Sequence, residues 1–320
     1  MKRLHVLAWL AAFLPAACVT QSPLPSYECA TPADEAAAAD ITMTAQDAVI
    51  EAAPGVFFHA WTYDGDVPGP VLRIPLGETR TIKLRNDSPR PASLHFHGVS
   101  YAETDDGTAE HPESIVNPGC AHIYTVEAVQ PGVWPYHSHV EPRSEMAMGL
   151  HGAIVVPDPA EAAADHEYFV YLGQLGLEEG EEGGEEEEEG EGAGGSVFYM
   201  TINGRPGTAQ VIELEGNSYV VSEGMANAQV GDLVRWRVVS VSPDDVHTFH
   251  LHGHRWCDRG GVMVGGECPA GTLPTDNEDI FPAQGISLEY VEDAPGHWMF
   301  HCHIVDHVID GMMAMYHVDP

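Results

Sequence analysis

Apolar residues in this chain come in short runs. Segments such as TIKLRN (81–86), LVRWRVVS (233–240), EYFVYLGQLG (167–176) and VFYMTINGRP (197–206) are rich in Val, Ile, Thr and aromatic residues, and clusters of Gly, Pro, Asn and Asp separate such runs. This is the pattern of strands joined by turns, and it predicts an all-β chain built as antiparallel sandwiches.

The pattern also repeats. GETRTIKLRNDSPRPASLHFHG (77–98) matches GDLVRWRVVSVSPDDVHTFHLHG (231–253), and PGVWPYHSH (131–139) matches PGHWMFHCH (295–303). Each half therefore has a Gly-led apolar run, an HxHG pair and a Pro-Gly-x-Trp turn leading to an HxH pair, which implies two homologous domains. We place them at 45–160 and 161–320. Trp134 and Trp298 stand at matching positions and read as packing residues.

The first residues, MKRLHVLAWLAAFLPAACVTQ, set Lys2 and Arg3 before an apolar run of roughly a dozen residues, shorter than the about 20 a spanning helix needs. Residues 1–18 read as an export signal and the Pro- and Ala-rich 19–44 as a linker. LPAAC is similar to a bacterial lipoprotein box, with Pro15 where a large aliphatic residue is usual. Cys18 is then either a lipid anchor, the one expected link to a membrane, or lies near a simple cleavage site. A periplasmic or extracellular location follows. Of six cysteines, Cys18 and Cys302 are set aside for the signal and for chemistry. The remaining four allow three connectivities, and we expect Cys29–Cys120 with Cys257–Cys268.

At 320 residues and 44% hydrophobic content the chain can pack two cores. Thirteen basic residues against 49 acidic ones give a formal charge of −36, which argues against nucleic acid or an anionic membrane surface as partner and favours cations. Much of that charge sits in LEEGEEGGEEEEEGEGAGG (177–195), an insert in the second domain with no apolar periodicity, read as a solvated loop.

The candidate chemistry lies near the C-terminus. HWMFHCHIVDHVIDGMMAM (297–315) sets Cys302 between His301 and His303, with His307 and Met312 downstream. A thiolate, an imidazole and a thioether are three of the four ligands of a blue-copper site, and His247, just before His250, supplies the second imidazole. Met313 and Met315 read as core fillers. By the repeat, His247 corresponds to Ala92, Cys302 to Ser138, His307 to Arg143 and Met312 to Met148, so the first domain keeps the frame of this site without its ligands. The four pairs His95/His97, His137/His139, His250/His252 and His301/His303 are present in both halves, and eight imidazoles suit three further copper ions. Residues i and i+2 of a strand share a face, so each pair can point one way. A pair bridging two metals can instead present opposite sides, and spacing leaves both open.

These residues resemble the multicopper oxidases, most closely the two-domain laccases, over residues 45–320, through LHFHG, WPYHSH, HTFHLHGH and HCHIVDHVIDGM. The resemblance implies two cupredoxin-like Greek-key β-sandwich domains. It implies a type 1 copper on His247, Cys302, His307 and Met312, and a trinuclear cluster. In that cluster His95 and His250 would hold a type 2 copper, and His97, His137, His139, His252, His301 and His303 a type 3 pair, making four coppers per chain. It further implies a homotrimer, each cluster forming between the first domain of one subunit and the second domain of the next. Tyr101 falls where these laccases have a tyrosine near the cluster, able to supply an electron, and Asp106 where they have an acid able to deliver protons. The axial Met312 implies a low-to-middling type 1 potential.

The implied reaction couples four one-electron oxidations of a small reductant, phenolic or aromatic in laccases, to reduction of O2 to water. The alternatives are a metallo-oxidase for Fe(II), Cu(I) or Mn(II), a copper nitrite reductase, and a copper-binding electron-transfer module without oxygen chemistry. The nitrite reductases carry their blue-copper cysteine in the first domain, where this chain has Ser138. His151, His254, His297 and His317 have no ligand position in the scheme and are read as structural or supporting.

Overall fold

The computed structural model describes residues 29, 34, 36–53, 56–176, 197–203, 205–206, 209–214, 217–258 and 260–320. The expected export signal, Cys18 and the acidic insert lie outside the described residues. Among them, no helix is long and apolar enough to cross a membrane.

The short apolar runs fold as strands. In the first unit a sheet runs in the order β2 (Val56–Tyr63), β1 (Ile41–Ala53), β4 (Thr79–Asn86), β7 (Ala121–Glu127), β6 (Ser100–Tyr101). It faces a sheet ordered β3 (Val71–Arg73), β9 (His151–Val156), β8 (Gly132–His137), β5 (His95–Phe96), over a core that includes Met43, Leu84, Phe96, Tyr124 and Ile154.

The second unit repeats the plan with longer sheets. One runs β12 (Arg205–Pro206), β11 (Val197–Ile202), β10 (His166–Leu175), β15 (Leu233–Ser240), β21 (Gly285–Val291), β18 (Val262–Met263). The other runs β13 (Ala209–Leu214), β14 (Asn217–Gln229), β23 (Met313–Asp319), β22 (Gly296–Cys302), β16 (His247–Leu251), β20 (Asn277–Ile280). Trp236, Phe249, Phe300 and Tyr316 fill the space between them, and β17 (Trp256–Cys257) pairs separately with β19 (Pro274–Thr275). Side chains alternate as a strand requires: in β16, His247, Phe249 and Leu251 are buried while Thr248 and His250 are partly exposed.

The sheets are mixed, not purely antiparallel as the strand pattern suggested. β1 pairs parallel with β4, β3 with β9, β10 with β15, β14 with β23 and β18 with β21. Parallel neighbours need a crossover, and the chain makes one each time it visits the opposite sheet, as between β1 and β4 by way of β3. Both expected disulfides form, Cys29–Cys120 and Cys257–Cys268, and Cys302 is free and buried.

The repeated Gly and Trp belong together. Gly98 and Gly253 adopt φ of 71° and 72°. A Cβ on Gly98 would stand 2.2 Å from the Trp134 ring, and one on Gly253 2.6 Å from the Trp298 ring. The indole from the Pro-Gly-x-Trp turn thus lies flat on the HxHG glycine in both domains, which locks the strand carrying one histidine pair to the strand carrying the other.

The two units meet through a third apolar cluster. Val133, Ala153 and Val155 of β8 and β9 pack on Phe169, Tyr171 and Val239 of β10 and β15. A Cβ at Gly285 of β21 would sit 2.2 Å from the Val133 carbonyl oxygen, so these sheets approach closely. Arg73 of β3 pairs with Glu167 of β10, which also takes Arg237. The consequence concerns the histidines: the histidine-bearing sheet of the first unit covers the sheet of the second unit that carries none of the HxH pairs.

Candidate metal centre

β16 and β22 are antiparallel neighbours with His250 opposite His301 and Phe249 opposite Cys302. Strand alternation then turns Cys302 away from His301 and into the core. The short helix α2 (Val305–Ile309) follows and brings His307 back over the thiol. His247 Nδ1 and His307 Nδ1 lie 3.2 Å apart, and Cys302 Sγ is 3.4 Å from His307 Nδ1 and 3.9 Å from His247 Nδ1. All three are buried and form one candidate metal group. Ser242 Oγ, 2.7 Å from His247 Nε2, occupies that ring's far nitrogen and leaves Nδ1 for the group. The Thr248 N–H points at Cys302 Sγ at 3.4 Å. Met312 is fully buried and its carbonyl accepts the Cys302 N–H at 3.1 Å.

The electrostatics suit a soft cation. Burial, reinforced by His307, pushes His247 down to about 3, and burial also lowers His307. Burial pushes the Cys302 thiol up. Two neutral imidazoles therefore face a thiol whose charge is disfavoured without a partner, and a bound cation reverses that preference.

The remaining histidines form two sets, one per domain. In the first, His95 stands opposite His137, and ring centroids are 5.1 Å apart for His95–His97, 5.6 Å for His137–His139 and 4.9 Å for His95–His139. In the second, the separations are 5.0 Å for His250–His252, 5.3 Å for His301–His303 and 5.3 Å for His250–His303. Each pair therefore points one way, which resolves the alternative that spacing left open.

Backbone carbonyls set the ring orientations. His95 Nδ1 lies 2.8 Å from the Asp106 oxygen, His137 Nδ1 2.8 Å from that of Ser138, His250 Nδ1 2.6 Å from that of Asp276 and His301 Nδ1 2.7 Å from that of Cys302. An Nδ1–H donating to a carbonyl leaves the Nε2 lone pair for a metal. The Nε2 atoms of His97 and His137 are 3.2 Å apart and those of His252 and His301 3.1 Å, close to the about 3 Å expected of two imidazoles on one ion. Burial lowers His97 to about 4 and His137 to about 3, so both are neutral and free to bind. Among the described residues ring contacts run within each set, and none joins the first-domain set to the second-domain set.

Tyr101 and Asp106 both lie beside His95. The Tyr101 ring is 6.2 Å from the His95 ring, and Asp106 Oδ1 is 3.5 Å from His95 Nδ1. Burial and a hydrogen bond to Asp106 push Tyr101 up to about 12. Burial raises Asp106, but the Thr108 hydroxyl donating at 2.6 Å, the Tyr101 hydroxyl and nearby His95 outweigh it, so the carboxyl sits below its ordinary value.

The structure corrects the repeat alignment in the first domain. Cys302 N–H donates to the Met312 carbonyl and Met312 N–H to that of His307; Ser138 N–H donates to the Leu150 carbonyl and Leu150 N–H to that of Glu145. Leu150, not Met148, occupies the Met312 position, and Glu145, not Arg143, that of His307. The segment after the first domain's HxH pair is longer by two residues, spent in the helix α1 (Pro142–Met148), and spacing counted from Ser138 slips accordingly.

His139 and His303 have rings in contact with His95 and His250 but lie outside the three tight groups His95/His97/His137, His247/Cys302/His307 and His250/His252/His301, as do the four histidines without a ligand position. His254 is buried against Glu292 at 3.0 Å, with Nδ1 2.7 Å from the His252 carbonyl oxygen. His151 Nε2 bonds the Tyr199 hydroxyl at 2.7 Å across the domain contact. His297 and His317 stack with ring centroids 4.2 Å apart. Sequence reasoning missed Ser242, Asp276 and Glu292. Asp276 acts through its carbonyl, which any residue offers, and the other two carry no spacing signal.

The chain resembles known proteins along nearly its whole length. Residues 44–161 and 195–320 each match a family model described as multicopper oxidase. The chain is 31% identical to a Kuenenia stuttgartiensis protein named "Probable nitrite reductase-hydroxylamine oxidoreductase fusion protein", over 98% of this chain and 34% of that one. It is 27% identical to human hephaestin over 78% of this chain and 22% of that one. It is 28% identical to the copper-containing nitrite reductase of Neisseria meningitidis serogroup B over 84% and 62%. The chain thus spans less than two thirds of these curated relatives. A crystal structure of a multicopper oxidase superposes with TM-score 0.67 at 26% identity, covering 87% of this chain and 88% of that one. The fold of the blue copper oxidase from Nitrosomonas europaea superposes with TM-score 0.65 at 22% identity, covering 87% and 85%. With both domain matches, the cupredoxin-like sandwiches and the His/Cys groups together, the chain belongs to the multicopper oxidase family as a two-domain member.

Proposed function

We propose that this protein is an oxidase that takes single electrons from a small reductant at the His247–Cys302–His307 group and passes them to dioxygen held between histidine sets of two subunits. The donors fit copper: His247, Cys302, His307 and Met312 for a type 1 ion, His95 and His250 for a type 2 ion, and His97, His137, His139, His252, His301 and His303 for a type 3 pair. Bound there, four copper ions would store the four electrons that take dioxygen to water.

The observation that carries this reading is the run His301-Cys302-His303. Its thiol enters the buried group beside His247 and His307, while His301 groups with His250 and His252 and the His303 ring contacts His250 and His301, so one stretch of backbone would link electron entry to oxygen reduction. A homotrimer accords with the domain packing, because the first-domain set backs onto the wrong sheet of its own second domain and needs a neighbour's set. Asp106 would deliver protons and Tyr101 a spare electron. Both roles draw support from their contacts with His95. Export agrees with the two disulfides.

We favour a phenolic reductant, with Fe(II), Cu(I) or Mn(II) next on account of the acidic charge. Nitrite reduction is the second reading, since two of the relatives above carry that name. Against it stands Ser138, whose hydroxyl accepts the Ser93 N–H at 3.0 Å where a blue-copper thiolate would be needed.

The test is oxygen uptake by the copper-loaded chain with a methoxyphenol, Fe(II) and Cu(I) in turn, nitrite consumption under argon, and Cys302→Ser as background. Cys302-dependent oxygen uptake with about four coppers per chain is expected. Nitrite consumption without oxygen uptake, or a single copper per chain, would sink the oxidase.

A further inference from the structure

In the second domain the segment after the HxH pair is closed by the metal group itself, because His307 brings its Nδ1 to Cys302 Sγ. The first domain repeats the surrounding bonds without that group. Ser93 N–H donates to Ser138 Oγ at 3.0 Å where Thr248 N–H points at Cys302 Sγ, and Leu150 N–H donates to the Glu145 carbonyl at 2.9 Å where Met312 N–H donates to that of His307. Glu145 thus stands where His307 stands. The residue is 2% exposed, and its side chain is in hydrogen-bonding contact with the Ser138 hydroxyl, the counterpart of the thiol.

The carboxylate does more than fill the space. Glu145 Oε2 accepts the N–H of Val140 at 2.9 Å and of Glu141 at 2.8 Å. These are the two residues that follow His139. That matters because, among the described residues, the His139 ring makes no hydrogen bond of its own, whereas His95 and His137 are each tied through Nδ1 to a carbonyl. A metal-binding imidazole normally has its other nitrogen held. His139 depends instead on its main chain, which is fixed on one side by its N–H on Ser93 Oγ at 2.9 Å and on the other by Glu145.

We propose that Glu145 is a positioning residue that replaces, without a metal, the cross-link that His307 makes in the second domain, and so holds His139 ready for copper. This rests on the oxidase reading above. In this arrangement a gene-duplicated electron site has kept its frame as a brace for the oxygen site.

The test compares Glu145→Ala and Glu145→Gln in the full-length chain. Both N–H groups converge on one oxygen, so a glutamine carbonyl can serve both and alanine can serve neither. We expect the alanine variant to hold cluster copper about 10- to 100-fold more weakly, with loss of the near-ultraviolet band of the coupled copper pair. The blue band of the second domain should persist and reports that the chain is folded. Glutamine should restore both copper and band. In copper-free protein the Val140 and Glu141 amides should exchange faster in the alanine variant than in wild type.

An alanine variant with its blue band and wild-type cluster copper overturns the proposal. Should alanine abolish the blue band too, Glu145→Asp decides, since the shorter side chain withdraws the oxygen while keeping the charge: weakened cluster copper supports the brace, and unweakened copper overturns it. Wild-type protein that binds a single copper fails the oxidase reading and takes the copper half of this proposal with it. The amide exchange then still judges whether Glu145 fixes the segment.

Discussion

His151 is fully buried where the two domains meet, with Nε2 2.7 Å from the Tyr199 hydroxyl and Nδ1 without a hydrogen-bond partner. Burial holds the imidazole down at about 3. In the unfolded chain it titrates near about 6.5. Below that pH the unfolded state binds a proton the folded state refuses, so the contribution is intact above about 6.5 and is lost progressively as pH falls toward 3. Between pH 7.5 and 5.0 the loss is about 2 kcal/mol, from about 1.5 pH units at 1.36 kcal/mol each. The overall charge works the other way, because a chain of formal charge −36 loses self-repulsion as its carboxylates protonate. A difference measurement separates the two. His151→Gln can still bond Tyr199 and cannot charge, so the copper-stripped wild type should lose about 2 kcal/mol more than the variant when urea denaturation is moved from pH 7.5 to 5.0. The other histidines are common to both proteins and cancel. Equal losses, within about 0.5 kcal/mol, would refute the claim that His151 is held neutral at the domain contact.

Three further outcomes follow from the geometry. Gly98→Ala meets the Trp134 ring at 2.2 Å in a left-handed conformation and should cost about 2 kcal/mol or more, and an unchanged melting temperature would show that the indole yields freely. Glu292→Gln breaks a buried network in which the carboxylate holds His254, the Tyr316 hydroxyl at 2.6 Å and the N–H of Asp293 and Ala294. It should lower stability by about 3 kcal/mol in urea, and a midpoint equal to wild type would remove its structural role. Asp106→Asn should slow turnover about 100-fold and alter its pH profile, and an enzyme with both unchanged has its proton donor elsewhere.

Much of the site was legible because its signal is local. Strand alternation acts over two residues, so an HxH pair predicts two imidazoles on one face, and a cysteine between two histidines predicts a thiol on the other. The repeat put Trp134 and Trp298 at matching positions and likewise the HxHG glycines, but only the packing shows that Gly98 meets Trp134, that Gly253 meets Trp298 and that each indole needs the absent Cβ. What spacing could not carry was any relation set by hydrogen bonds between distant strands. Counting from Ser138 selected Arg143 and Met148, while the bonds from Ser138 and Leu150 select Glu145 and Leu150, because two extra residues are absorbed in α1.

The sequence by itself determined the strands, the two domains and the kinds of side chain that gather in the candidate metal groups, since these depend on neighbours along the chain. The tertiary structure alone decided the parallel pairings, the carbonyls of Asp106 and Asp276 that orient His95 and His250, and the packing of the first domain's histidine-bearing sheet on the second domain's sheet without HxH pairs, which parts the two histidine sets. Each of those is a contact between segments far apart in sequence, where residue type constrains what can meet and only the register and packing of whole sheets fix what does.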